Sequence, residues 1–299
     1  SIETDYGSVR LSASLGMTLF PDDDSPAEEL LRQCDTAMYQ VKRELRGDAR
    51  FYDSARDDAG REAADLEHDL RFALERDELL LQYQPIVDID GRVVAAEALL
   101  RWQHPERGLV PPDEFIPLAE ENGQIIPIGR WVMAEACRRL RDFGDEGSAL
   151  PIAVNVSAQE FHHTAFARHV EETLERTGAD GHRIVIEVTE SVLIDRVDIT
   201  IERMQRLRRR GISFALDDFG TGYSSLSYLK RLPVEFLKID RSFVCEVETD
   251  QADAAIVDGI VALAARLGHW VVAEGVESRE QLACLSGYGC SRFQGYYWG

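Results

Sequence analysis

The chain has 299 residues, 44% of them hydrophobic, enough for one large domain or two smaller ones with a substantial core. A formal charge of −21 excludes a surface that attracts polymeric nucleic acid or anionic membranes, and an anionic substrate would need metal ions or a few placed basic residues. Five scattered cysteines without a C-x-x-C pair argue against zinc and disulfide frameworks, and no apolar run approaches a membrane segment of about 20 residues, so a cytoplasmic compartment with reduced thiols is expected, an upstream membrane anchor being left open.

The N-terminus, SIETDYGSVR, carries no signal-peptide pattern and enters strand-like sequence almost at once, so it reads as the interior of a longer chain. Residues 9–20, VRLSASLGMTLF, partly alternate and stop at Pro21, which predicts a strand. A helix is predicted next, with Ser25 as N-cap, Pro26 at its first position and acids in its first turn. Leu30, Leu31, Cys34, Ala37, Met38 and Val41 then recur at helical spacing. RFYD at 50–53 reads as one more short strand. So few elements make too small a core to stand alone, so residues 1–53 are expected to be the tail of another domain. Residues 54–76 are charged, with Ala63, Leu66, Leu70, Phe72, Ala73 and Leu74 interspersed, and read as a linking helix.

From residue 79 a rhythm starts. Strand-like segments fall at 80–88, 93–102, 151–157, 184–190, 213–219, 236–240, 270–277 and 293–298. Amphipathic helical patterns at 127–142, 164–177, 197–210, 251–267 and 278–285 separate most of them. Alternating strands and helices imply a parallel sheet with right-handed crossovers, and eight such units imply closure into a barrel. The D-G pair at Asp90–Gly91 is a hairpin signal, so the first two strands should run antiparallel. The fold class expected is α/β, a TIM-like (β/α)8 barrel over 77–299 with an antiparallel first strand, plus a short α+β N-terminal remnant. No closing helix follows the last strand in this sequence.

In such barrels the site lies at the C-terminal ends of the strands. The polar residues there include Glu97, Arg101, Asn155, Ser157, Glu187, Glu190, Asp217, Asp218, Lys238, Asp240, Glu274, Glu277 and Gln294. Singly, each has an ordinary explanation: Glu187 could cap a helix, and Asp240 could pair with Arg241 or Lys238. Jointly, Glu97, Glu187, Asp217, Asp218 and Glu274 would converge on one barrel mouth. Carboxylates that close cannot all stay ionised unless cations sit among them, and oxygen donors imply hard ions, Mg²⁺ or Mn²⁺ before zinc. Neighbours on a strand point to opposite faces. Asp217 and Asp218 can share the mouth only where alternation breaks, and the turn Gly220-Thr221-Gly222 is expected to supply that break. Lys238, in the apolar run FLKID, is either a cation stabilised by this cluster or a plain buried ion pair with Asp217 or Glu274.

EALLRW (97–102), YQPIVD (83–88), NVS (155–157), EVTE (187–190), DDFGTGYSSL (217–226), KID (238–240), EGVE (274–277) and QGY (294–296) resemble, in order and spacing, the motifs of EAL domains, the bacterial cyclic di-GMP phosphodiesterases. The resemblance spans about residues 66–299. ASLGMTLFP and ELLRQCDTAMYQVKR in the first 53 residues resemble the C-terminal end of a GGDEF (diguanylate cyclase) domain, whose GGDEF sequence is absent here. The resemblance implies metal-dependent hydrolysis of cyclic di-GMP to linear pGpG. It implies that Glu97, Asn155, Glu187 and Asp217 hold a first Mg²⁺ or Mn²⁺ ion, and Asp217 and Asp218 a second. Glu274 and Lys238 would position or deprotonate the attacking water, supported by Gln294, while Gln84 and Arg101 contact the substrate. Glu190 would tether the loop after Asp218, and loop 218–226 would reach a dimer interface, which makes a homodimer a candidate assembly.

Two other functions fit parts of the pattern. A catalytically impaired cyclic di-GMP-binding sensor module would share the motifs without turnover. A metal-dependent barrel acting on a carbon acid would also use strand-end acids and Lys238. The motif order and Asn155 argue against the latter.

Overall fold

The computed structural model describes residues 2–4, 7–9, 13–20, 26–44, 48–52, 54–144, 150–193, 197–221 and 229–298. The chain divides into two units, Ser1–Ala73 and Leu74–Gly299.

In the first unit β1 (Ile2–Thr4) and β2 (Gly7–Val9) pair antiparallel. β3 (Leu15–Met17) and β4 (Ala49–Phe51) pair parallel, with the helix Ala27–Glu44 between them in sequence. Ala37 and Val41 of that helix are buried, in line with its apolar stripe. Gly16 of β3 is a packing necessity: an added Cβ would meet the Cys34 carbonyl oxygen at 1.9 Å. Of the strand expected over 9–20, the described residues form β3 and the last residue of β2, and residues 10–12 and the expected N-cap, Ser25, lie outside the described residues. The helix read over 54–76 is Ser54–Ala73; residues 74–77 form a turn in which Asp77 takes a left-handed φ of 56°.

The second unit begins with a long hairpin. β5 (Leu79–Asp88) and β6 (Val93–His104) pair antiparallel from Leu79↔Trp102 to Val87↔Val93. Asp88 closes the turn, its Oδ1 accepting from the backbone N–H of Asp90 and of Arg92, both at 2.9 Å. β7 (Gly108–Val110) is a short antiparallel addition to β6. Then come β8 (Ile152–Asn155), β9 (Ile184–Thr189), β10 (Ser213–Phe219), β11 (Phe236–Ile239), β12 (Trp270–Ala273) and β13 (Arg292–Phe293). The sheet order is β5-β13-β12-β11-β10-β9-β8-β6-β7, and the β5–β6 pairing closes eight strands into a barrel. β5 is antiparallel to both its neighbours, and the pairs from β6 to β8 and on to β13 are parallel. This is the expected TIM-like (β/α)8 architecture with an antiparallel first strand.

The helices Ile125–Gly144, Phe166–Thr177, Val197–Arg208, Gln251–Leu267 and Arg279–Tyr288 lie close to their predicted positions. The helices Pro112–Glu121 and Ala158–His162 were not anticipated. Pro117 inside the former and the single turn of the latter hide their periodicity. The strand expected over 293–298 is only two residues long, and Tyr296–Trp298 turn into a 3-10 helix.

The helix Arg279–Tyr288 starts on a capping box. Ser278 Oγ accepts from the Gln281 N–H at 3.0 Å, and Gln281 Oε1 accepts from the Ser278 N–H at 3.0 Å and the Glu277 N–H at 2.7 Å. The box fixes where the segment after β12 ends. Ser278→Ala is expected to lower stability by about 1 kcal/mol, read as a lower urea midpoint with an unchanged slope.

Candidate active site

Residues two apart on a strand share a face, and the barrel strands use that rule to stack chemistry on packing. Ala153, Val185 and Ala215 form one buried cluster against which Phe236 packs, and Ile86, Ala95 and Val272 form another. Two residues further towards the C-terminal ends of the parallel strands stand Asn155, Glu187, Asp217, Lys238, Glu97 and Glu274, and two before Ile86 on the reversed β5 stands Gln84. An apolar layer therefore gives way to a polar one at the end of the barrel where the sequence placed the site.

Lys238 is the hub. It is 1% exposed, and its Nζ lies 2.6 Å from Glu274 Oε1, 2.7 Å from Glu187 Oε2 and 3.3 Å from both Glu97 Oε2 and Asp217 Oδ1. It is the cation stabilised by the acid cluster that the first sequence reading described, and not a single ion pair, since it pairs with four carboxylates. Glu97 also accepts from Asn155 Nδ2, and from Gln294 Nε2 at 2.6 Å. Gln294 Nε2 donates in turn to Gln84 Oε1 at 2.8 Å, a link the sequence did not reveal because it joins residues 210 positions apart. Among the described residues Gln294 Oε1 is buried and has no hydrogen-bond partner, which leaves an acceptor available at the mouth.

These contacts set the ionisation of the cluster. Burial opposes the charge on Lys238, but Glu187, Glu97, Glu274 and Asp217 outweigh it and hold the ammonium well above the usual lysine range. Glu97 is opposed by burial too, yet Lys238 and the hydrogen bonds from Gln294 and Asn155 hold it below the usual carboxylate range. Glu187 goes the other way. Burial pushes it well above that range, with Glu97 and Asp217 adding to burial and Lys238 only partly offsetting it. Glu274 is pushed up to about 7 by burial, moderated by Lys238 and reinforced by Asp217 and Glu97. One lysine is too little positive charge for this set of acids.

Asp217 and Asp218 do share the mouth, but not by the expected device. The break in alternation lies within β10, where the pairing with β11 shifts register between Leu216 and Phe219 and Asp218 adopts a left-handed φ of 52°. The glycine turn follows it and does not cause it. A non-glycine residue in that region carries a conformational penalty of about 1–2 kcal/mol, the kind of strain that persists where the site needs it. The result is that Asp217, Asp218 and Glu274 each place an oxygen within 4.8 Å of the others. Burial, Asp217 and Asp240 raise the Asp218 carboxyl above its usual range. Asp240 thus faces Asp218, and it also caps the helix Arg241–Val244 through the Ser242 N–H at 3.0 Å. The sequence reading, which paired Asp240 with Arg241 or Lys238, missed the link to Asp218.

The loop after β12 is clamped onto the Gln294–Gly295 backbone. The Val276 N–H donates to the Gln294 carbonyl and the Tyr297 N–H to the Val276 carbonyl, both at 3.0 Å. A Cβ on Gly295 would sit 2.1 Å from the Val276 oxygen, so only glycine lets the two segments approach and set Glu274 beside Gln294. Arg101 lies outside this web, its Nε donating to Gln82 Oε1 at 3.0 Å. Glu190 Oε1 accepts from the Gly220 N–H at 3.2 Å. Of the loop 218–226, residues 222–226 lie outside the described residues. Ser157 is the N-cap of the helix Ala158–His162, and the Glu277 N–H belongs to the capping box.

The donor set suits a hard divalent cation: several carboxylates, the amides of Asn155 and Gln294 and, among the described residues, no thiol or imidazole. The clustered acids and the free Gln294 oxygen both fit such a group.

The sequence pattern of the family described as EAL domain matches residues 67–299. The chain is 45% identical over 293 residues to the bifunctional diguanylate cyclase/cyclic di-GMP phosphodiesterase MucR of Pseudomonas aeruginosa, covering 97% of this chain and 43% of that protein. It is 38% identical over 288 residues to the cyclic di-GMP phosphodiesterase PdeR of Escherichia coli, covering 96% of this chain and 44% of that protein. It thus spans less than half the length of either relative. Among solved structures, the PaMucR phosphodiesterase in complex with c-di-GMP superposes with a TM-score of 0.76 at 47% identity, over 79% of this chain and 96% of that one.

Proposed function

Because the chain belongs to the EAL domain family, we propose that it is a divalent-metal-dependent phosphodiesterase that hydrolyses one phosphodiester bond of cyclic di-GMP to give linear pGpG. The observation that carries this reading is the meeting of Glu97, Glu187, Asp217 and Glu274 around Lys238 at one end of the barrel, with Asn155 and Asp218 beside them. Relatives with cyclic di-GMP phosphodiesterase in their names support the substrate class.

In this reading Glu97, Asn155, Glu187 and Asp217 hold one Mg²⁺ or Mn²⁺ ion, and Asp217 and Asp218 a second. Such ions, when bound, lower the pKa of water and offset charge on phosphoryl oxygens. The chain's own residues handle the proton and the substrate. Glu274, pushed up to about 7, accepts a proton from the attacking water near neutral pH. The water oxygen forms the new bond to phosphorus, and the ester oxygen departs and takes up a proton. Lys238 orients Glu274 at 2.6 Å and sets positive charge beside the incoming phosphate. Gln294 ties Glu97 to Gln84 and keeps Oε1 as an acceptor. Gln84 and Arg101 contact the substrate, the planar fork of Arg101 suiting a phosphate oxygen. Glu190 tethers the loop after Asp218, and a homodimer through 218–226 completes the assembly.

The N-terminal unit fits the end of a GGDEF domain. The alignments to MucR and PdeR run over 97% and 96% of the chain, beyond the residues of the EAL match.

The test is direct. With cyclic di-GMP and Mg²⁺ or Mn²⁺ the chain is expected to yield pGpG, and excess chelator to stop it. Glu97→Ala is expected to slow turnover more than about a hundredfold, since loss of groups that merely support a metal site already approaches that scale. Turnover undiminished in chelator contradicts the reading.

A further inference from the structure

The hairpin β5–β6 continues above the mouth on the wall that carries Gln84 and Glu97. Alternation is unbroken there, because the register shift of this pair lies between Ile86 and Val87, below this stretch. Gln84 stands opposite Glu97 and Gln82 opposite Leu99, so Gln82 shares the face of Gln84 one level further out. Arg101 shares the face of Glu97 and stands opposite Leu80, a further level out. Levels on one face are about 7 Å apart along a strand. Exposure rises along this wall: Glu97 is buried, Arg101 half-buried and Gln82 exposed.

The Arg101 side chain does not stay at its own level. Its Nε donates to Gln82 Oε1 at 3.0 Å, and its Nη1 to the Leu100 carbonyl at 2.9 Å. The first bond runs diagonally across the hairpin and draws the guanidinium back towards Gln84 and Glu97. A guanidinium only donates, so the atom it meets on Gln82 is the amide oxygen. Both of its acceptors are neutral. Among the described residues Arg101 has no carboxylate partner, and its Nη2 has no partner at all. On a chain of charge −21, Arg138, Arg206, Arg208 and Arg231 all find carboxylates. A guanidinium oriented by an amide and a carbonyl instead keeps its charge for an incoming anion. A glutamate at position 82 would hold Arg101 as firmly and cancel that charge.

We propose that Gln82 is a positioning residue of the phosphodiesterase: it aims the Arg101 guanidinium at the mouth and holds it there, uncompensated, for a phosphate oxygen of the bound cyclic dinucleotide. The proposal rests on the phosphodiesterase reading and on the substrate contact that reading gives Arg101. Pre-orienting a long side chain spares the substrate the cost of ordering it, so Gln82 acts on substrate affinity and leaves the chemical step alone.

The test is a double-mutant cycle on the full chain with cyclic di-GMP and Mg²⁺, reading kcat and KM separately. Gln82 is exposed, so its variants are expected to melt with the wild type. Gln82→Met, which keeps the size and loses the acceptor, is expected to raise KM about fivefold, the scale of ordering one long side chain, with kcat within about twofold. Arg101→Ala is expected to raise KM about tenfold or more. The double variant should be no worse than Arg101→Ala alone, because Gln82 has then nothing to aim. Gln82→Glu should raise KM more than Gln82→Met. An unchanged KM in Gln82→Met or Arg101→Ala, effects that multiply in the double variant, or wild-type KM in Gln82→Glu overturns the proposal. Failure of the phosphodiesterase reading shows separately, as a wild-type chain that makes no pGpG. The same cycle is then read from calorimetric affinity for cyclic di-GMP in Mg²⁺, and absence of binding overturns both.

Discussion

Replacing Lys238 by Met is expected to separate metal affinity from turnover. The side chains are close in size, so the change removes one charge with little change in volume. The metal-free protein should lose about 3–5 kcal/mol at pH 7.5, the scale for stranding buried charge by deleting its partner. Four carboxylates now share a Lys238 ammonium at 2.6–3.3 Å and would share nothing. A more negative cluster attracts divalent cations more strongly, so the variant should bind Mn²⁺ more tightly and regain most of its stability when loaded. Turnover should nevertheless fall about a hundredfold or more, because the residue that orients Glu274 is gone. Calorimetry with Mn²⁺, thermal melts with and without the ion, and pGpG production check the three parts. Weaker Mn²⁺ binding in the variant would show that Lys238 organises the site and does not compete for it.

The second large effect concerns pH. Glu274 in the folded chain is pushed up to about 7 from an ordinary 4.5. A carboxyl whose folded pKa is raised is more protonated in the folded than in the unfolded state between those values. Its contribution is therefore most favourable below about pH 4.5 and declines as pH rises to about 7. The loss amounts to about 3 kcal/mol for a shift of this size, and Glu187, shifted in the same direction by burial, adds to it. Metal-free protein is thus expected to melt at a higher temperature at pH 5.5 than at pH 7.5. Saturating Mg²⁺ should erase most of the difference, because an ion favours the ionised carboxylates that burial disfavours. Glu274→Gln should flatten the metal-free slope. A metal-free melting temperature that rises from pH 5.5 to pH 7.5 would contradict this picture of the cluster.

Much of this was legible because a barrel converts two simple sequence signals into geometry. Strand alternation placed Glu187 above Val185 and Lys238 above Phe236, and the spacing of apolar segments gave the number and direction of the strands. What failed to show in the sequence has physical reasons. The helix Pro112–Glu121 carries an internal proline, and the helix Ala158–His162 is a single turn, so neither displays a helical period. The Asp217–Asp218 pair was recognised, but its mechanism was misplaced, since a bulge with a left-handed aspartate has no local sequence mark. The bond between Gln294 and Gln84 depends on β13 closing against β5, which no local pattern encodes. Two of these departures, the Asp218 bulge and the Gln294–Gln84 bond, lie at the mouth where charge is buried, as expected where function overrides local preference.

The central claim is that the acids at the barrel mouth are a divalent-cation site. Anomalous diffraction from crystals soaked in Mn²⁺ at pH 7.5 tests it most directly. The account predicts strong anomalous peaks touching Asp217 and its neighbours Glu97, Glu187 and Asp218. Absence of any such peak at saturating Mn²⁺, with the Lys238 ammonium still enclosed by its four carboxylates, would contradict it.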